Sequence, residues 1–207
     1  MLKKKILLTL FAIGGSFLLK AQEKKEETIR QKYPLEISVF NNGNFLPGGG
    51  KLGIWSAKIH PGIRIGTRFT YINKKKSSLF QSAYLGYFFH KNAQHGLQLY
   101  TNFIYRYDFK FPLFMEAGIG AGYLHSFSDI DIFAFEDGVY HKKANTGRAQ
   151  WMADFSIKAG YALTKNNLPF DVYLDYQFWL QSPFVNKYVP ILPHNSLHLG
   201  FIYYWNH

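Results

Sequence analysis

Residues 170–180 read Phe-Asp-Val-Tyr-Leu-Asp-Tyr-Gln-Phe-Trp-Leu. Phe170, Val172, Leu174, Tyr176, Phe178 and Leu180 form one series, and Asp171, Tyr173, Asp175 and Gln177 fall between them. A period of two places alternate side chains on opposite faces of an extended chain, so this stretch reads as a β-strand with one apolar and one polar face. The pattern recurs in both directions. Downstream, Leu197, Leu199, Phe201, Tyr203 and Trp205 share a face. Upstream, Trp151, Ala153, Phe155, Ile157, Ala159, Tyr161 and Leu163 alternate with Gln150, Asp154, Ser156, Lys158 and Gly160.

Four further segments repeat it. Leu113, Met115, Ala117, Ile119, Ala121 and Tyr123 oppose Glu116, Gly118, Gly120 and Gly122. Leu97, Leu99, Phe103, Tyr105 and Tyr107 oppose Gln98, Asn102 and Arg106. Ile63, Ile65, Phe69 and Tyr71 oppose Arg64, Gly66, Arg68 and Thr70, and Leu35, Ile37 and Val39 oppose Glu36 and Ser38. Residues 79–89 give the weakest alternation, because both series hold apolar and aromatic residues. The expectation is about eight strands of roughly 10 residues, the length that crosses an outer membrane when tilted.

Connections alternate in length. Asn73–Ser78, Asp108–Pro112 and Thr164–Pro169 are short; 41–59, 127–148 and 181–195 are long, and His90–His95 is intermediate. Short turns on one side and long loops on the other describe an up-and-down antiparallel barrel with both chain ends on the short-turn, periplasmic side. Nine charged residues fall within the strands: Glu36, Arg64, Arg68, Arg106, Glu116, Asp154, Lys158, Asp171 and Asp175. All nine lie opposite the apolar stripe, as a lipid-facing stripe demands, since a charge at mid-bilayer costs ~2–4 kcal/mol. They should form a polar network in the lumen. Arg106 and Glu116 should meet across a hairpin, and Lys158 and Asp171 likewise. A soluble sandwich also alternates, but it turns its apolar face inward and leaves fewer aromatic residues at strand ends.

Composition agrees. The 207 residues include no cysteine, 19% are aromatic, only 18% are charged, and the net charge is +11. Zero cysteine excludes a disulfide scaffold, thiolate metal sites, cysteine nucleophiles and a lipoprotein anchor. Residues 1–21 join a basic start, Lys3–Lys5, to a 14-residue apolar run, Ile6–Leu19. This is the pattern of a secretory signal peptide with cleavage after Ala21. The run falls short of the ~20 apolar residues of a spanning helix. Removal would leave a polar periplasmic segment at 22–32, a barrel domain at 33–207 and a net charge of +7.

With the alternation, turn pattern and C-terminal Leu197–Trp205 strand in view, the chain resembles the small eight-stranded outer-membrane barrels of the OmpA transmembrane domain and outer membrane protein X class. The resemblance covers 33–207 and implies an integral multi-pass barrel in a Gram-negative outer membrane. Its aromatic-rich last strand is similar to the signal read by the outer-membrane assembly machinery, although the chain runs on to Asn206 and His207.

Few residues point to chemistry. Gly118, Gly120 and Gly122 lack the spacing of a nucleotide loop. They read as space for bulky inward neighbours such as Trp179, Tyr173 or Tyr204. His60, His90, His95, His125, His141, His194 and His198 fall near the long-loop side. Imidazoles on one rim could bind a metal or respond to pH, though no pair shows a metal-motif spacing. His194-Asn195-Ser196 is similar to the His-x-Ser of lipid A deacylase barrels, which implies an outer-leaflet lipid hydrolase. Leu197 replaces the expected Asn, however, and only Asp175 on a neighbouring strand could orient the histidine.

The leading expectation is a non-enzymatic platform without cofactor, whose loops bind an extracellular ligand. Phe45, Leu46, Trp55, Phe133, Phe135, Phe184, Val185 and Tyr188 would form the contact surface. The hydrolase and a small solute channel are the alternatives. Partners should be outer-membrane lipid and lipopolysaccharide, met by basic loop residues. No basic stripe suits nucleic acid.

Overall fold

A computed structural model of the protein describes residues 33–43, 59–131, 133–185 and 188–205. The expected signal peptide at 1–21 and polar segment at 22–32 lie outside the described residues, as do Phe45, Leu46 and Trp55.

Among the described residues, ten strands follow in chain order: β1 Leu35–Gly43, β2 Pro61–Asn73, β3 Ser77–His90, β4 Gln94–Asp108, β5 Leu113–Ser128, β6 Phe133–Glu136, β7 Val139–Lys142, β8 Arg148–Tyr161, β9 Phe170–Ser182 and β10 Leu192–Tyr203. Eight of them close a barrel in the order β1-β10-β9-β8-β5-β4-β3-β2, every pair antiparallel. Closure is made by β1 against β10, from Leu35↔Tyr203 to Gly43↔Asn195, so neither terminal strand keeps an open edge. β6 and β7 form a separate hairpin between β5 and β8.

The strand positions read as apolar point outward and the others point inward. The two series on β3 also separate: Phe80, Ser82, Tyr84 and Phe88 are buried, while Leu85 and Tyr87 are exposed. Among the described residues, no outward position on a barrel strand is charged.

Two boundaries differ from expectation. The connection expected at 127–148 contains β6 and β7, because Asp137 and Gly138 take positive φ (52° and 82°) and reverse the chain in two residues. The connection expected at 181–195 is shorter: β9 continues to Ser182 and β10 begins at Leu192. At the other end, the turn expected at Thr164–Pro169 includes a single turn of 3-10 helix at Leu163–Asn166, stopped by Asn167 in the left-handed conformation.

Side chains fill the interior. Toward the long loops, Phe40, Tyr84, Phe88, Tyr100, Leu124, Met152 and Trp179 form one apolar cluster. Toward the short turns, Phe114, Ala162, Tyr173 and Ile202 form another, with Tyr204 packed on it. The charged side chains pack against both clusters, Arg64 over the Tyr84 ring and Arg106 over the Phe114 ring. An eight-stranded barrel is just wide enough to be filled this way.

Candidate functional site: the filled lumen and the loop rim

The structure places all nine candidate charged residues inside the barrel. Eight of them join one network. Glu36 is its hub and is fully buried. Its Oε1 accepts from Lys158 Nζ at 2.6 Å and Arg64 Nη2 at 3.4 Å; its Oε2 accepts from Arg68 Nε at 2.8 Å and the Tyr84 hydroxyl at 3.1 Å. Arg68 then forks onto Glu116, with Nη1 to Oε1 at 2.8 Å and Nη2 to Oε2 at 3.1 Å. The planar guanidinium makes this two-bond geometry available.

The network extends both ways. Arg64 Nη2 donates to Asp175 Oδ2 at 2.8 Å, and Nη1 donates to the Tyr100 hydroxyl at 3.2 Å. Arg106 faces Glu116 across the β4–β5 hairpin, 3.5 Å from its Oε1, and lies over the Phe114 ring at 3.7 Å. Its Nη2 also reaches Asp171 Oδ2 at 3.5 Å. Desolvated charges cost several kcal/mol each unless their bonding capacity is met; here shared partners supply most of it, and Arg64 Nε and Asp175 Oδ1 are left without a hydrogen bond.

Lys158 does not meet Asp171. The β8–β9 register sets Lys158 opposite Asp175, with β8 ending at Tyr161↔Val172. Asp171 lies beyond that end, where its Oδ1 accepts from Thr164 N at 3.2 Å and Thr164 Oγ1 at 2.8 Å. Asp154 stands outside the ionic network. Its Oδ2 accepts from the side-chain amides of Asn102 at 2.6 Å and Gln177 at 3.0 Å.

The glycine series makes room for different neighbours from those expected. A Cβ on Gly118 would come 2.9 Å from Ile104; one on Gly120 would strike Asn102 and Asp154, and one on Gly122 would strike Tyr100. Adjacent strands, rather than the far wall, use the space. Tyr173 does use such a gap, with its hydroxyl 2.5 Å from the Cβ position of Gly200.

A layer absent from the sequence reading closes the lumen toward the loops. Gln181 Nε2 donates to Gln94 Oε1 at 3.1 Å and Gln150 Oε1 at 2.9 Å, and the Ser126 hydroxyl donates to Gln150 Oε1 at 2.6 Å. His194 lies flat on Trp179, ring centroids 3.7 Å apart and 2° from parallel. Its ring nitrogens face Gln181 Oε1 at 2.8 Å and Asn42 Nδ2 at 3.3 Å. The Ser196 hydroxyl accepts from Trp179 Nε1 at 3.1 Å and donates to Asn42 Oδ1 at 2.9 Å. His194 and Ser196 thus share a face, as the i, i+2 spacing requires, but bind Asn42 rather than each other. Both are buried in the lumen, and Asp175 is committed to Arg64.

The seven histidines do not form one rim cluster. His60, His194 and His198 are buried, and His60 stacks on His90 at 3.5 Å. His95 and His125 face outward on either side of the Phe127 ring, at 5.2 Å and 4.8 Å. His141 is exposed on β7. Among the described residues, no three His, Asp or Glu side chains converge as metal ligands.

At the loop end, the β6–β7 hairpin displays its side chains to solvent. Phe135 is 64% exposed and Tyr140 71% exposed, and their rings pack at 5.0 Å. Phe133 and Val139 are also exposed. A Lys142–Asp131 ion pair at 2.8 Å spans the hairpin base. Tyr188 is exposed, while Phe184 is half-buried beneath the Arg148 guanidinium at 5.6 Å.

No protein-family model and no curated protein matches the sequence. Among solved structures, Neisserial surface protein A is similar, with a TM-score of 0.53 and 13% identity over 84% of this chain and 96% of that one. The outer-membrane enzyme PagL gives 0.45 and 10%, covering 81% and 97%. Ail of Yersinia pestis, solved with the heparin analogue sucrose octasulfate, gives 0.45 and 13%, covering 84% and 99%. At such identities the likeness is one of fold: the chain is a closed eight-stranded antiparallel β-barrel of the architecture found in small bacterial outer-membrane proteins.

Proposed function

We propose that the protein is an integral outer-membrane barrel that acts as a closed, non-enzymatic platform and binds an extracellular partner through its β6–β7 hairpin. One observation carries this reading: exposed aromatic side chains stand on a hairpin outside a barrel whose lumen is already filled. Ordered apolar surface held in water is favourable only when something covers it, and contact surfaces are enriched in such residues. The 1–21 segment would direct export, and the outward apolar faces would meet lipid. Lipopolysaccharide would then border the basic loop residues.

Replacing residues 131–143 by a Gly-Ser linker tests the platform. The barrel should still reach the outer-membrane fraction and keep heat-modifiable migration on a gel, because the hairpin is outside the closed ladder. Adhesion of expressing cells to protein- and glycan-coated surfaces should be lost. Unchanged adhesion by the linker variant would overturn the assignment to the hairpin.

The hydrolase alternative has its own test. A serine nucleophile needs a base within hydrogen-bond reach, oriented by a third group. Ser196 is held instead by Trp179 and Asn42. Ser196→Ala should therefore leave the acyl pattern of lipid A unchanged by mass spectrometry. An acyl chain missing only when Ser196 is intact would replace the platform with the enzyme.

A further inference from the structure

The two ends of the barrel differ in charge. The turns at 74–76, 109–112 and 162–169 hold Lys74, Lys75, Lys76, Lys110 and Lys165 and no acidic residue. All five lysines are exposed. Lys165 is engaged, its Nζ donating to the carbonyl oxygens of Phe109 at 3.0 Å and Phe111 at 3.3 Å. Nearby acids do not neutralise the others: Asp108 pairs with Arg106 at 2.9 Å, and Asp171 accepts from Thr164 and from the Tyr204 hydroxyl. By contrast, Asp129, Asp131, Glu136 and Asp137 sit among the basic residues of the long loops.

A ring of exposed aromatic side chains lies just inside the lysines. It includes Tyr71, Tyr105, Tyr107, Tyr161 and Trp205. Aromatic belts mark the headgroup level of a bilayer, so ammonium groups one turn further out reach phosphate depth. Residues 22–32, next in sequence to Tyr33 at this end, carry four basic and three acidic side chains.

We infer that the short-turn end of the barrel is a binding surface for anionic phospholipid headgroups, with Lys74, Lys75, Lys76 and Lys110 contacting the lipid phosphates. This rests on the reading that the strands span a membrane. Ammonium groups bind phosphate as point charges, and juxtamembrane basic clusters gain affinity for acidic leaflets with each added charge. The contact weakens with ionic strength, because the lysines are solvent-exposed.

The experiment uses the full chain reconstituted in vesicles of phosphatidylcholine alone or of equal parts phosphatidylcholine and phosphatidylglycerol. Lipids retained on the barrel are read by native mass spectrometry. Wild type should retain phosphatidylglycerol over phosphatidylcholine by roughly tenfold or more, and high salt should erase the preference. Substituting K74Q, K75Q, K76Q and K110Q together should abolish it, while K74R, K75R, K76R and K110R together, which keep the charge, should leave it intact. Wild type that inserts but shows no preference, equal retention by the two variants, or full competition by soluble glycerol phosphate would each overturn this inference alone. Failure of wild type to insert into either vesicle would overturn the membrane reading, and this inference with it.

Discussion

Glu36→Ala should lower stability by about 3–5 kcal/mol, the cost of leaving buried charge without its partner. The fully buried Glu36 carboxylate serves Lys158, Arg64, Arg68 and the Tyr84 hydroxyl at once. Its loss leaves three cations sharing Glu116 and Asp175. Water cannot readily replace it, because apolar layers close the lumen on both sides. Arg106→Ala should cost less, since Arg106 sits at the short-turn edge of the network and leaves Glu116 with Arg68 and Lys158. Urea titration of the refolded barrel in lipid vesicles, followed by tryptophan fluorescence, gives both values. A Glu36→Ala penalty below that of Arg106→Ala would show that Glu36 is not the hub.

Such a network was legible in part. The charge-bearing faces of Glu36–Ser38, Arg64–Arg68 and Asp171–Gln177 follow from alternation, because one apolar series leaves the other face to the charges. Which charge meets which is a matter of register, and turn geometry sets register. The tight β4–β5 connection kept Arg106 opposite Glu116. The β8–β9 connection consumed residues in a 3-10 turn, which moved Asp171 past the end of β8.

Hydropathy left β3 ambiguous for a related reason. This lumen accepts Phe80, Tyr84 and Phe88 as readily as the outer face accepts Leu85 and Tyr87. Only pairing with β2 and β4 separates the two faces. The amide layer of Gln94, Gln150 and Gln181 was missed because two of its members sat at positions taken for connections. Extending the Asp175, Gln177, Trp179 series by one step would have included Gln181. Likewise, Asp137-Gly138 between Phe133–Phe135 and Val139–His141 is a two-residue hairpin signal that marks β6 and β7 from sequence. The loop aromatics divide on tertiary grounds: Phe184 is half-buried beneath Arg148, a contact that sequence spacing does not reveal.

Ile119→Arg should cost about 2–4 kcal/mol when the barrel unfolds from a bilayer. Ile119 lies near the middle of β5, between Phe103 and Phe155 on the neighbouring strands. It is 65% exposed, so a larger side chain meets no steric barrier from the barrel itself. In water the same substitution would fall within ~0.5 kcal/mol, as surface changes do, and would improve solubility by breaking an apolar patch. The sign and size of the effect therefore report the solvent that the outer face meets. Leu113→Arg supplies the depth control. Leu113 is also outward and exposed but begins β5 at the short-turn end. There the arginine can reach the headgroups, and the cost should fall to about 0–1 kcal/mol. Both variants keep the lumen unchanged, so a folding defect from the ionic network does not enter the comparison. Equal and negligible costs at the two positions would show that the apolar face meets water or another protein rather than lipid. A penalty at Ile119 that shrinks toward Leu113 is the profile of a strand crossing a hydrocarbon layer.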